Sequence, residues 1–557
     1  MTSFLKSKPF LDAALLSAAF WCALLLLRPF ADIPLNDDWQ YAYSVRHILE
    51  GGGMRLSDMS SPTVVVQAFW GAFVCRLLGY GYGALRFSTM LLAWAGVLSF
   101  HRLLRGAGLG RGVAAASALL LAFNPLFFIL TSSFMTDVNF LSLALAALWV
   151  SRLGLEKAPP DAKRLVLGSC LAALAYGVRQ TGLAIPTGLT AWLFWRRKAS
   201  LKNLCAVWLI PLCALSAHEI WYFKVHGPTV PYYTIMLPSL RHDLRRPLLA
   251  LAWAAERSAT ALLYAGLFLA PFSAGFWLGR PVRGLRELSG SVVLLIGGAS
   301  LAVLIAIVLG GGLPAARPYF LPCNYLGYSG LGCFGIDGAG AREGWMSGPW
   351  FWRGLDVLAL VSLASAGLAF AVRGGGDPRA RKTAFFLAFP CALMFLATLS
   401  SLDFFDRYIL PLVPAALALG AAAQEPGRRA QAALWTGVLV FGVFSWAGAF
   451  DYLRASETAW SLGEQGVRLG MPAEKVKAGL DWCWSHEYQG GMDELKKTVR
   501  PEEIGEVELD CIKNPAAFVS FRSGFKTPRA ELAAASYFSP ILLREEILHL
   551  YSAEGGT

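Results

Sequence analysis

Long apolar stretches alternate with short polar ones along almost the whole chain. A helix that crosses a bilayer needs roughly 20 consecutive apolar residues, because each residue rises only about 1.5 Å. Stretches that meet or approach that length lie at approximately 11–30, 84–101, 113–130, 138–151, 165–184, 185–195, 203–222, 258–278, 289–310, 355–372, 383–400, 408–423 and 432–450. Those at 138–151 and 185–195 are short and are expected to extend into their neighbours. The apolar stretch 63–79 is a further candidate, and the charge pattern decides how to read it.

Basic residues cluster in every second connection. Arg102/Arg105/Arg111, Arg152/Lys157/Lys163/Arg164, Arg196/Arg197/Lys198/Lys202, Arg280/Arg283/Arg286, Arg373/Arg379/Arg381/Lys382 and Arg428/Arg429 then share one side with the N-terminus. Cytoplasmic loops carry such an excess of Lys and Arg. Counting 63–79 as a span would invert every later loop, so it is read as a helix lying on the outer surface. The expected fold is mainly α, a polytopic membrane protein of about 13 transmembrane helices. Residues 1–450 form the transmembrane domain and include a first outer loop at 31–83, while 451–557 form a small α+β domain on the extracytoplasmic side. In that domain Met471–Trp484 alternates weakly, and Trp482 and Trp484 suggest a small core.

Composition agrees. The 557 residues are 56% hydrophobic and 15% charged, with mean hydropathy +0.50. Soluble chains average about 25% charged residues. The net charge of +12 would suit a nucleic-acid binder, but its placement in alternate loops points to membrane topology instead. Lys6 and Lys8 ahead of an apolar run resemble a signal peptide; no small-residue cleavage site follows, and a retained first helix is expected. Six of the ten cysteines, Cys22, Cys75, Cys170, Cys205, Cys213 and Cys391, fall inside apolar stretches, where small core residues are expected. Cys323 with Cys333 and Cys483 with Cys511 lie outside. An oxidising outer compartment favours a Cys483–Cys511 bridge; two buried thiols are the alternative. No spacing suits zinc, and a divalent metal requirement stays open.

Four polar features fall on one side of the membrane in this topology. They are Asp37/Asp38 directly after the first span, Asp137 in Ser133-Phe134-Met135-Thr136-Asp137-Val138-Asn139, Arg179-Gln180, and Asp406-Arg407-Tyr408. Acids beside hydrocarbon are costly unless solvated or used. Each feature also has a plain reading. Asp37/Asp38 suit a solvated loop or helix cap, Asp137 suits a cap for a helix from Val138, and Arg179 and Arg407 suit snorkelling to the interface. Together they describe a site of acids and arginines with a membrane floor.

The order of these pieces resembles the GT-C superfamily of polyprenyl-phosphate-sugar glycosyltransferases, in the branch holding protein O-mannosyltransferases, the lipid A aminoarabinose transferase and Rgt-like galacturonosyltransferases. The matching residues are Asp37-Asp38-Trp39-Gln40-Tyr41-Ala42, then Pro62 ahead of Phe69-Trp70, Leu78-Gly79, Ala84-Leu85-Arg86-Phe87-Ser88, Asp137, and Arg407-Tyr408-Ile409-Leu410-Pro411 followed by Pro414. The likeness is loose over 10–450 and weak beyond. It implies that Asp37 is the general base and that Asp38 fills the second acidic position. Two departures stand out. Gln40 occupies a position that is often basic in relatives, and Ser60-Ser61-Pro62 lacks a Lys found in some. Other cations must then bind the donor phosphate, with Arg86, Arg179, Arg317 and Arg407 as candidates beside Gln180 and Tyr408.

The chemistry is consistent with those roles. An acceptor hydroxyl needs a proton acceptor, and a positioned carboxylate supplies typically 10²–10⁴-fold. Arginine forks match the oxygens of a departing phosphate. The expected activity is inverting transfer of a hexosyl or pentosyl group from a polyprenyl-phosphate donor to a lipid, glycan or protein hydroxyl. It would take place on the periplasmic face of the inner membrane, among membrane lipids and without nucleic acid. A secondary transporter or flippase is the rival, though transporters place ionisable residues near the midplane within repeated halves.

Overall fold

A computed structural model describes residues 8–60, 63–279, 324–339, 342–372, 378–399, 404–424, 427–486, 515–523, 525 and 529–555. The expected span at 289–310 and the candidate Arg317 lie outside them.

The chain opens with α1 (Lys8–Leu27), then α2 (Asp38–Leu49) and α3 (Val65–Leu78) in the first loop. Next come α4 (Tyr82–Gly106), α5 (Arg111–Ala122), α6 (Pro125–Thr131), α7 (Thr136–Leu155), α8 (Ala162–Tyr176), α9 (Ala184–Trp195) and α10 (Leu201–Ile220). They are followed by α11 (Leu237–Arg245), α12 (Pro247–Phe268), α13 (Ala270–Leu278), α14 (Pro349–Val372), α15 (Pro378–Leu396), α16 (Val413–Ala422) and α17 (Arg428–Arg468). Among the described residues six helices are long and apolar enough to span a membrane, and eight if each bent pair counts as one span. The pairs are α5 with α6, bent by 61°, and α12 with α13, bent by 53°. The first bend has a local cause. Asn124 caps α6 by accepting from the Leu126 and Phe127 amides, and Pro125 sits at the first helical position, where its missing N–H costs nothing.

The interior of the bundle is formed by α6 and α7, with every residue of α6 buried. The stretch 63–79 does form a shorter apolar helix, α3. Between the apolar stretches at 203–222 and 258–278 the chain is largely helical: α12 begins at Pro247 and carries Arg257, which donates to the Leu399 carbonyl. The last helix continues past its apolar stretch at 432–450. α17 runs unbroken for 41 residues, about 60 Å at 1.5 Å per residue, and its far end packs on the C-terminal sheet.

There β3 (Val476–Lys477), β4 (Ala517–Ser520), β6 (Arg544–Gly555) and β5 (Arg529–Ser539) form one sheet in that spatial order, preceded in the chain by a two-residue hairpin of β1 (Leu326–Gly327) and β2 (Gly330–Leu331). β3 and β4 are parallel and the other pairs antiparallel. Ala455, Ala459 and Leu462 of α17 pack on Val476, Val519, Leu548 and Leu550, with Trp482 in the same core. Arg342 locks the assembly: its guanidinium meets Asp451 of α17 at 3.0 Å and Glu546 of β6 at 3.1 Å, and donates to the Tyr537 hydroxyl at 3.1 Å. Cys483 is disulfide-bonded, with its partner outside the described residues; Cys333 is a free thiol.

Candidate active site

α2 begins at Asp38, so consecutive carboxylates emerge as the chain enters a helix. Neighbours on a helix point about 100° apart, and the two acids separate accordingly. The Asp37 side chain is 32% exposed and reaches Arg407, Oδ2 to Nη1, at 3.4 Å. The Asp38 side chain is fully buried, its Oδ1 accepting from the Phe134 amide at 2.8 Å and its Oδ2 lying 4.0 Å from Arg86 Nε. Asp38 thereby ties the first loop to the segment that leads into α7. Burial, only partly offset by Arg86 and the Phe134 amide, pushes the Asp38 carboxyl up to about 7.

That shift gives a stability prediction. Between about pH 4 and about pH 7 the unfolded chain has released the Asp38 proton while the folded chain still holds it. Rising pH therefore costs folded-state stability across that window. Asp38→Asn cannot ionise. The thermal midpoint of the wild type relative to Asp38→Asn should fall as pH rises through the window and level off above it. A constant difference at all pH values would show that Asp38 does not titrate there.

Asp137 and Arg179 form a second pair, Oδ1 to Nη1, with Asp137 almost wholly buried. Asp137 does not cap a helix from Val138: α7 starts at Thr136 with Met135 at the cap, and Asp137 sits in the first turn, where the helix dipole favours an acid. The two pairs converge on one ring. Arg179 Cζ lies 5.5 Å and Arg407 Cζ 5.6 Å from the Tyr408 centroid. Arg407 also covers Phe405 at 5.1 Å, and its Nη1 lies 4.0 Å from Met135 Sδ. Both arginines thus turn inward onto acids and an aromatic ring instead of reaching for the interface. The buried Tyr41 phenol, held up by burial and by Asp37, feels Arg407 and Arg179 in the opposite sense. Asp37, Asp137, Arg179, Arg407 and Tyr408 accordingly make one cluster. Gln180 lies at its edge, accepting from the Thr63 hydroxyl at 3.3 Å, and Thr63 also donates to the Val178 carbonyl at 3.3 Å.

Two residues expected at the site have other work. Arg86 is fully buried and donates to the carbonyls of Pro29 at 3.3 Å, Ala31 at 2.8 Å and Ile33. It pins the exit of α1 to α4: both terminal nitrogens are spent on backbone carbonyls, and its Nε is turned toward Asp38. Asp406 is buried and accepts from the amides of Tyr325 at 3.1 Å and Leu326 at 2.8 Å and from the Tyr264 hydroxyl at 3.3 Å. It holds the 324–331 hairpin against the site.

Three residues were missed by sequence reasoning. Asn36 has φ +53°, a conformation that Asn tolerates better than most residues. Its side chain donates to the Tyr325 hydroxyl at 2.7 Å, and its backbone N–H donates to the Asp481 carboxylate. Asp481 comes from a helical turn at 480–486. Burial first, and then Asp38 and Asp37, push its carboxyl well above the usual range. Trp484 of the same turn lies stacked on Trp39, at 5.6 Å and 3° between planes, instead of joining Trp482 in the sheet core. The residue preceding the acid pair is therefore gripped from two remote segments. An Asn before two Asp was a usable signal; nothing local marked Asp481. Among the described residues no three His, Cys, Asp or Glu side chains converge as a metal site.

No family model and no curated relative matches the chain. Among solved structures it is similar to the S. cerevisiae protein O-mannosyltransferase Pmt1-Pmt2 complex bound to the sugar donor, with 17% identity and TM-score 0.35, over 40% of this chain and 35% of that one. It is also similar to ArnT from Cupriavidus metallidurans in the apo state and bound to undecaprenyl phosphate, with 14% identity over 96% of this chain and 97% of those and TM-scores of 0.35 and 0.34. Likeness at this level transfers neither a residue role nor a substrate.

Proposed function

We propose that this protein is a membrane glycosyltransferase that moves a sugar, with inversion, from a polyprenyl-phosphate donor to a hydroxyl of a lipid, glycan or protein acceptor. One observation carries the reading: a single accessible carboxylate, Asp37, stands beside an arginine that shares its aromatic neighbour with a second acid–arginine pair. Asp37 takes the acceptor proton as the new glycosidic bond forms at the anomeric carbon. The bond to the phosphate breaks on the opposite face, and the leaving phosphate carries the charge away. Arg407 and Arg179 are the cations at hand for that charge. Arg407 Nε is buried with no hydrogen-bond partner among the described residues, a donor suited to an incoming phosphate oxygen. Tyr408 spaces the two guanidinium groups. Asp137 holds Arg179, and Asp38 holds the segment that leads to Asp137.

A transporter would keep its ionisable groups within the spans. Here Asp37, Asp137, Arg179 and Arg407 all stand at the starts of elements instead of within the long helices. The direct test incubates purified protein with radiolabelled polyprenyl-phosphate sugars and extracted envelope lipids or peptides. Transfer of label supports the reading. Movement of the donor across a vesicle wall without transfer would replace it with the flippase.

The reaction is placed on the extracytoplasmic face, and the topology is testable. Arg55→Cys and Glu474→Cys should react with an impermeant maleimide from outside, whereas Lys202→Cys and Arg429→Cys should react only after the membrane is opened. All four positions are exposed, and α17 separates Arg429 from Glu474. Labelling of Arg429→Cys from outside would invert the topology.

A further inference from the structure

The ends of α7, α9 and α15 remote from the candidate site enclose a second site. Asp137 lies in the first turn of α7 and Arg152 in the last, roughly 22 Å away along the axis. Around Arg152 a cavity of about 400 Å³ opens between the three helices. Five cationic side chains line it, Arg152, Arg196, Lys198, Arg379 and Lys382, against one carboxylate, Glu156. That carboxylate is already paired with Arg152 at 2.7 Å, and Lys198 is held by the Leu155 carbonyl at 2.7 Å. Arg196, Arg379 and Lys382 form the exposed rim.

The inner wall is aromatic. Trp192 and Phe386 meet edge to face at 5.1 Å, and they also line an adjoining apolar cavity of about 270 Å³. This second cavity runs between α9 and α15 past Ala191, Trp195, Phe385 and Phe389. Its shape follows from the helix contact. At Gly188 the two helices nearly touch, so that a Cβ there would lie 2.5 Å from the Pro390 ring. They part toward Trp195 and leave a groove whose walls, Trp195, Phe385 and Phe389, are about half exposed. Arginines that only set topology need neither a chamber nor a groove behind it.

The geometry points to a binding site for an anionic phospholipid, its headgroup phosphate among the basic rim residues and one acyl chain in the α9–α15 groove. Charge complementarity selects the head: basic pockets between helices on the cytoplasmic side suit anionic headgroups, and Arg forks match phosphate oxygens. Continuity between the polar chamber and the apolar groove selects a lipid over a free phosphate.

The test titrates the purified full chain in detergent with phosphatidylglycerol, phosphatidylcholine or inorganic phosphate, reading bound copies by native mass spectrometry and the unfolding midpoint by fluorescence. Phosphatidylglycerol should bind as a discrete copy and raise the midpoint; phosphatidylcholine and phosphate should do neither. Combined Arg196→Gln, Arg379→Gln and Lys382→Gln should weaken phosphatidylglycerol binding by roughly tenfold or more, since charge-assisted hydrogen bonds are lost. Ala191→Trp fills the groove and leaves the rim intact, and it should also abolish retention. Its lipid-free midpoint, compared with that of the wild type, separates lost binding from lost folding. Equal binding of phosphatidylcholine, an equal shift from phosphate alone, or wild-type affinity in both variants would overturn the proposal.

Discussion

Asp37→Asn should lower sugar-transfer turnover by about 10²–10⁴-fold while leaving donor affinity nearly unchanged. The change keeps the shape of the side chain and removes only its basicity. Asp37 is suited to this role because it is the exposed member of the pair, whereas Asp38 is sealed inside. The fold should tolerate the change, since Asp37 makes no side-chain capping bond to α2 and its contact with Arg407, at 3.4 Å, is long. The measurement is single-turnover transfer by purified protein, with donor binding titrated separately. Near-normal turnover would remove Asp37 from the chemistry. A loss equal to that of Asp38→Asn, accompanied by reduced yield of both variants, would make the effect structural.

Arg407→Lys should weaken donor binding by roughly tenfold or more and lower turnover as well, at unchanged yield. Lysine keeps the charge and loses the planar fork. Arg407 uses that plane three ways: over Tyr408, over Phe405 and edge-on to Asp37. A point ammonium cannot hold all three. Arg76→Lys on α3, an exposed position, is the control. If Arg407→Lys binds and turns over donor like that control, the leaving phosphate is held elsewhere. If it loses turnover with donor affinity intact, its role is to orient Asp37.

Much of the frame was readable from residues alone. The apolar stretches within the described residues became helical, and 63–79 became a shorter apolar helix, α3. Helix starts shifted where capping and first-turn chemistry differ by one or two residues, as at Asp137. The candidate site was legible in part. Asp37, Asp137, Arg179, Arg407 and Tyr408 do meet, whereas Arg86 and Asp406 carry the same charges and the same apparent placement yet serve the backbone.

The division has a physical cause. The sequence by itself determined what depends on neighbours along the chain. A spanning helix closes its own hydrogen bonds, so apolar length and the charge of the flanking loops suffice to define it. It also determined that acids and arginines stand at helix ends, because those are the ends of the apolar runs. Only the tertiary structure decided which acid faces out. Asp38 is buried by an amide 96 residues away, and Asp37 is met by an arginine 370 residues away. The grip on Asn36 by Tyr325 and Asp481 belongs to the same class. Such contacts have no period and no spacing; they exist once the packed helices and the C-terminal sheet have brought distant segments within hydrogen-bond reach.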